Sequence, residues 1–136
     1  MPVKKYFLLL ISVTILFTAC GGGNVDHVYI PDWKPSAIYT DADIESAFGT
    51  VKEYFSKEFV GCTLTELYYP GDTYADRFQE YAAQHHADEA IILYSSFDVD
   101  HSGGDGSFNP DSTYTDWQWM LIRNKGGDWE HVDHGY

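Results

Sequence analysis

The stretch TYTDWQWMLIRNKGGDWEHVDH, residues 113–134, decides the fold. Thr113 to Arg123 is dense in aromatic and β-branched side chains, the composition of a strand. Asn124-Lys125-Gly126-Gly127-Asp128 tolerates positive φ, so Trp129 to His134 is expected to return antiparallel as the second arm of a hairpin. Just upstream, Asp100 to Ser112 is rich in Gly, Ser, Asp, Asn and Pro and reads as a loop, and Ala90 to Val99 reads as another strand.

Further toward the N-terminus the periodicity changes. Ile44, Ala47, Phe48, Val51, Phe55 and Phe59 recur every three to four residues behind a cap at Thr40 or Asp41, which predicts an amphipathic helix. Gly61 is placed to end it in a left-handed conformation, and Cys62 to Tyr69 reads as a strand. After the turn residues Pro70-Gly71-Asp72, one helical face collects Tyr74, Phe78, Tyr81, Ala82 and His85. Helices and strands do not alternate regularly in the order α-β-α-β-β-β. The expectation is an α+β domain over residues 40–136, with two helices packed on one face of a curved antiparallel sheet of about four strands, and not a doubly wound parallel fold.

Composition limits the partners. With 136 residues, 44% of them hydrophobic, the chain holds one core. Eight basic residues against 21 acidic ones give a net charge of −13, which repels phosphate backbones and argues against nucleic acid; a cationic partner suits such a surface better.

The N-terminus reads as an export signal. Lys4 and Lys5 precede an apolar run from Tyr6 to Phe17 interrupted only by Ser12 and Thr14, and Cys20-Gly21-Gly22-Gly23 ends that run short of the roughly 20 residues a spanning helix needs. Phe17-Thr18-Ala19-Cys20 resembles the lipobox of bacterial lipoproteins, with Phe17 where leucine is usual. The resemblance implies a signal peptide over residues 1–19, acylation of Cys20 (palmitate among the attached chains), and a location on the extracytoplasmic face of the cell membrane with the bilayer as partner. Cleavage after Ala19 without acylation would instead leave Cys20 free to pair with Cys62. Residues 20–39, with three glycines, Pro31 and Pro35, read as a flexible tether able to hold the domain clear of lipid. Tyr29, Ile30 and Trp33 offer the other reading, an extended arm packed on the domain.

A second resemblance covers residues 40–136. Gly61-Cys62-Thr63-Leu64, Gly104-Asp105-Gly106-Ser107, Trp117-Gln118-Trp119-Met120-Leu121 and the closing Gly135-Tyr136 resemble small lipoproteins of Gram-positive bacteria. The spacing of Trp129, Val132 and Gly135 resembles the last strand of NTF2-like (cystatin-like) domains. That likeness implies a cone of sheet wrapped by helices. Some members of the superfamily are isomerases or dehydratases with an Asp or His in the cone, and many are binding or accessory modules.

Several residues are candidates for chemistry. With the last turn centred on Gly126, Leu121 pairs with His131, Trp119 with Asp133 and Arg123 with Trp129. His131 and Asp133, two apart on a strand, then share a face and could form a general base beneath Trp117 and Trp119. The competing reading makes the tryptophans core residues. Trp117, Trp119 and Trp129 are the candidate ligand-binding aromatics. Asp98, Asp100 and Asp105 place carboxylates as in the opening of a calcium loop, although Asn109 stands where a bidentate Glu belongs, so no cofactor other than a calcium ion is suggested. His85-His86 and His131-x-x-His134 raise the question of zinc, but neighbours on a helix diverge and residues three apart on a strand face opposite ways, so neither pair is expected to chelate as a local unit, and Cys62 lacks a neighbouring base. The function expected from all this is a lipid-anchored, non-catalytic accessory module that binds a small ligand or a protein. The alternatives are an NTF2-like enzyme using His131 and Asp133, and a structural or inhibitory surface protein.

Overall fold

The computed structural model describes residues 22–136; the signal segment and Cys20 lie outside the described residues. Thr40 caps the first helix, α1 (Asp41–Glu58). Its hydroxyl accepts from the Asp43 amide while the Asp43 carboxylate accepts from the Thr40 amide, a reciprocal capping box. The expected stripe is the buried one: Ile44, Ala47, Phe48, Val51 and Phe55. Strand β1 (Cys62–Tyr68) follows Gly61, whose φ is +70° and where a Cβ would press on the Asp100 carboxylate. A short 3-10 turn (Asp72–Tyr74) leads into α2 (Ala75–Gln84), and then come β2 (Glu89–Val99), β3 (Thr113–Arg123) and β4 (Glu130–Gly135).

The four strands form one open antiparallel sheet in the order β1-β2-β3-β4, so each strand lies beside its sequence neighbour and the fold is α+β as expected. The ladder register puts Leu64, Leu93, Phe97, Trp119 and Leu121 on the face that α1 covers. The alternate residues point to the other face. There α2 contributes Arg77, which reaches Gln118, and the turn before it contributes Tyr74, packed on Tyr94. The helices therefore do not share one side of the sheet. Ile91, Ile92 and Leu93, consecutive in β2, are all fully buried, which is what a strand covered on both faces requires.

Three irregularities modify the ladders. Register shifts fall between Leu64 and Glu66, between Ser95 and Phe97, and between Met120 and Leu121. A bulge adds an unpaired residue and bends its strand. Asp116, in the bulged part of β3, takes φ +54°.

Of the two readings of the segment before α1, the structure shows the packed arm. Gly23 donates to the Phe55 carbonyl, Asn24 exchanges backbone bonds with Cys62 and Leu64, and Tyr29 does so with Thr65 and Leu67. The arm thus runs parallel to β1 and covers what would be a bare sheet edge. Trp33 lies edge-on to Phe48 at 5.5 Å and donates to Asp41, while Ser36 and Ala37 both bond Asp72. Flexibility predicted from glycine content fails here because these glycines serve close packing. A Cβ on Gly22 would sit 1.8 Å from the Ser56 carbonyl oxygen, and one on Gly23 would sit 2.4 Å from the Phe55 ring.

Candidate functional site

The end of α1, the loop between β2 and β3, and the adjoining ends of β3 and β4 border an open cleft of about 400 Å³. Tyr54, Glu58, Phe59 and Val60 line it from the helix side, Asp105, Ser107 and Phe108 from the loop, and Trp117 and His134 from the sheet. The loop is held in place by its own chemistry. Asp100 bonds the Ser102 amide and hydroxyl, Asp105 does the same for Ser107, and the Asp100 amide donates to the Gly61 carbonyl at 2.9 Å. Phe108 is thereby set 5.7 Å from Phe59 and 5.9 Å from Trp117, closing one wall.

The bulge in β4 reorganises the groups expected to be catalytic. Leu121 pairs with His131 as anticipated, but Met120 then pairs with Asp133 and Trp119 with His134, because Val132 is the extra residue. Asp133 turns to the opposite face, where it is exposed and accepts from the His134 amide. The His131/Asp133 pair is therefore not a facing dyad. His131 and His134 come together instead: Nε2 of the first lies 3.0 Å from Nδ1 of the second. The rule that residues three apart on a strand diverge holds only for an unbulged strand.

This histidine pair sits in an aromatic setting. The His131 ring stacks on Tyr54 at 3.9 Å, and Trp119 lies 5.2 Å from His134. Burial pushes the His131 pKa down to about 4, His134 beside it pushes the same way, and Asp133 opposes them only in part. Burial lowers His134 as well, so both imidazoles are neutral near pH 7. The 3.0 Å contact is then one N–H donating to one bare nitrogen.

The three candidate tryptophans separate. Trp119 is fully buried and donates to Ser95 at 2.8 Å, so it belongs to the core and is not a contact surface. Trp129 is also buried, donates to the Asp43 carbonyl and carries the Arg123 guanidinium over its ring at 4.2 Å. Only Trp117 reaches a cleft, and its Nε1 is the one buried side-chain polar atom among the described residues with no hydrogen-bond partner. An orphan donor of this kind costs about 1 to 3 kcal/mol.

The carboxylates proposed for calcium each accept hydrogen bonds from neighbouring groups. Asp98 accepts from Thr113, and Asp100 and Asp105 each cap a serine. Among the described residues no group of at least three His, Cys, Asp and Glu side chains is gathered as a metal would need. Cys62 is buried and has no disulfide partner among the described residues. Burial, aided by Asp100 and Asp105, pushes its thiol up to about 11, so it stays protonated and unreactive. His85 and His86 are both exposed at the end of α2. Among the described residues, no helix is long and apolar enough to cross a membrane.

Sequence reasoning missed Tyr54, Glu58, Phe59 and Phe108. Phe59 was legible only as a core position, and nothing local to Phe108 says that its loop folds back onto α1. Compared with family models, with curated proteins and with solved structures, the chain matches none.

Proposed function

We propose that this chain is a membrane-anchored lipoprotein of the extracytoplasmic face. In this reading its domain is a non-catalytic accessory module that binds a small ligand in the cleft between α1 and the β2–β3 loop. The observation that carries the binding half is the cleft itself, about 400 Å³ between α1 and the β2–β3 loop, with the partly exposed Trp117 indole in its wall. A cleft of this size, lined by four aromatic rings and as many polar side chains, falls in the volume range of small-molecule sites. The anchoring half rests on the Lys4-Lys5 segment, the apolar run to Phe17 and the Ala19-Cys20 junction.

The packed arm sharpens what anchoring would do. The chain is fixed to α1 from Gly23 onward, so only Gly21 and Gly22 separate Cys20 from the docked segment. At roughly 3.5 Å per residue, acyl chains on Cys20 would hold the domain within about 10 Å of the headgroups. The reading of a long tether that lifts the domain clear is replaced by a domain seated at the surface. Gly23 docks beside Phe55 near the same end of α1 that supplies Glu58 and Phe59, so the cleft would open near the membrane. The bulged antiparallel sheet with one long helix across it also supports an NTF2-like form as the finer description of the fold.

The cleft is tested by thermal unfolding of the full chain in nonionic detergent against a panel of metabolites and cell-wall fragments. A ligand at 100 times its Kd adds about 2.7 kcal/mol, a shift of several degrees for a domain of this size. A compound that shifts wild type but not Trp117→Phe supports the reading. A panel with no such compound removes the small-ligand site and leaves a protein partner or a purely structural role.

A further inference from the structure

We propose that the cleft beside Phe59 takes an organic ammonium group, the cationic end of a small amine or of a zwitterionic headgroup. This rests on the reading of the cleft as a ligand site and names the chemistry it recognises.

At one other place the molecule sets an aromatic ring beside carboxylates and fills the position with its own guanidinium. Arg123 lies 4.2 Å over Trp129 and is tied to Asp43 and Glu89. Arg77 lies 5.7 Å over Tyr74 and donates to Gln118, with no carboxylate partner among the described residues. The cleft beside Phe59 repeats the arrangement, with Tyr54, Phe59, Phe108 and Trp117 as aromatic walls and Glu58 and Asp105 as carboxylates. Unlike the Trp129 site, it has no lysine or arginine among its lining residues. The nearest lysine in sequence, Lys57, is paired with Glu53 at 2.8 Å. His134 is neutral near pH 7, so it adds no positive charge.

Two carboxylates and several ring faces with no internal cation attract a positive ligand by charge and by cation–π contact, and the net charge of −13 reinforces the attraction. An anionic ligand would meet only repulsion here. A neutral one would leave the Glu58 carboxylate unmatched. An ammonium carrying carbon substituents uses both features, since its apolar surface packs on Phe59 and Phe108 while its charge faces Glu58 and Asp105.

The test is a titration of the full chain in nonionic detergent with choline and with ethanolamine, followed by tryptophan fluorescence. Dimethylbutanol, the uncharged carbon isostere of choline, and sodium chloride at matched ionic strength are the controls. A saturable change with either amine and none with the controls is expected. Glu58→Gln combined with Asp105→Asn should weaken it roughly tenfold. Both side chains are exposed, and Asn keeps the loop cap, so the variant should keep its fold, which circular dichroism checks. Zwitterionic lipid added as mixed micelles that competes with the free amine would assign the ligand to a headgroup, and lipid that does not compete would assign it to a soluble amine; both support the proposal. Equal binding of the isostere would overturn the ammonium reading while leaving a ligand site intact, as would a different compound class from the unfolding panel that binds while both amines fail. An unchanged affinity in the double variant would overturn the assignment to this cleft.

Discussion

Protonation of the His131–His134 pair should cost the fold stability in a defined pH window. The His131 pKa falls from 6.5 to about 4 on folding, chiefly because burial disfavours the charged ring. Below pH 6.5 the unfolded chain takes up a proton that the folded chain resists. Stability is therefore intact above pH 6.5, declines as pH falls toward 4, and loses nothing further from this group below that. A drop of this size on a sealed group corresponds to roughly 3 kcal/mol. Since His131 is half-buried and water shares in the response, about 1 to 2 kcal/mol is expected. A second proton on His134 would face the first across 3.0 Å and adds to the loss. The assay is urea unfolding at half-unit intervals from pH 7.5 to 4, comparing wild type with His131→Phe, which keeps the stack on Tyr54 but cannot titrate. The difference between the two should narrow as pH falls, since the carboxylates of both proteins respond alike. A difference independent of pH would show that the imidazole is not resisting protonation, and the burial argument for the pair would fail.

Other perturbations follow from the packing. Trp119→Ala should cost about 3 to 5 kcal/mol in urea unfolding, because it empties a fully buried site and orphans the Ser95 hydroxyl; Trp117→Ala, half-buried, should cost about 1 to 2. Gly23→Val brings a side chain into the Phe55 ring, so the arm should lift and be clipped by protease before Thr40 many times faster than in wild type, with α1 retained by circular dichroism. Arg123→Ala should cost about 2 to 3 kcal/mol at neutral pH by stranding Asp43 and Glu89. Asp43 is held down at about 2 by its bond to Arg123, from an ordinary value of 3.8. That stabilisation is present above pH 4 and lost as pH falls toward 2, so the penalty of Arg123→Ala should shrink over the same interval in acid unfolding curves.

Regular periodicity was readable in the sequence, and departures from it were not. The α1 stripe from Ile44 to Phe55, the β3–β4 hairpin and the antiparallel order follow from local patterns, and each element stands within a residue or two of its expected position. The site depends on an insertion of one residue, Val132, which exchanges Asp133 for His134 on the covered face. A bulge leaves no signature in hydrophobic alternation when both candidate partners are polar, so the expected dyad and the observed pair were equally consistent with the residues present. The arm misled for a different reason. Glycine marks both flexible chain and close backbone contact, and only the nearness of the Ser56 carbonyl and the Phe55 ring to Gly22 and Gly23 distinguishes the two.

Lipid anchoring decides whether the cleft works at a membrane surface. Its most direct test is the intact mass and N-terminal sequence of the protein recovered from a Gram-positive expression host. The mature chain should begin at Cys20 and carry the added mass of a diacylglycerol, with wild type in the membrane fraction and Cys20→Ser released from it. A chain that begins at Cys20 with a free thiol, or one that keeps Met1 to Ala19, would refute the lipoprotein reading.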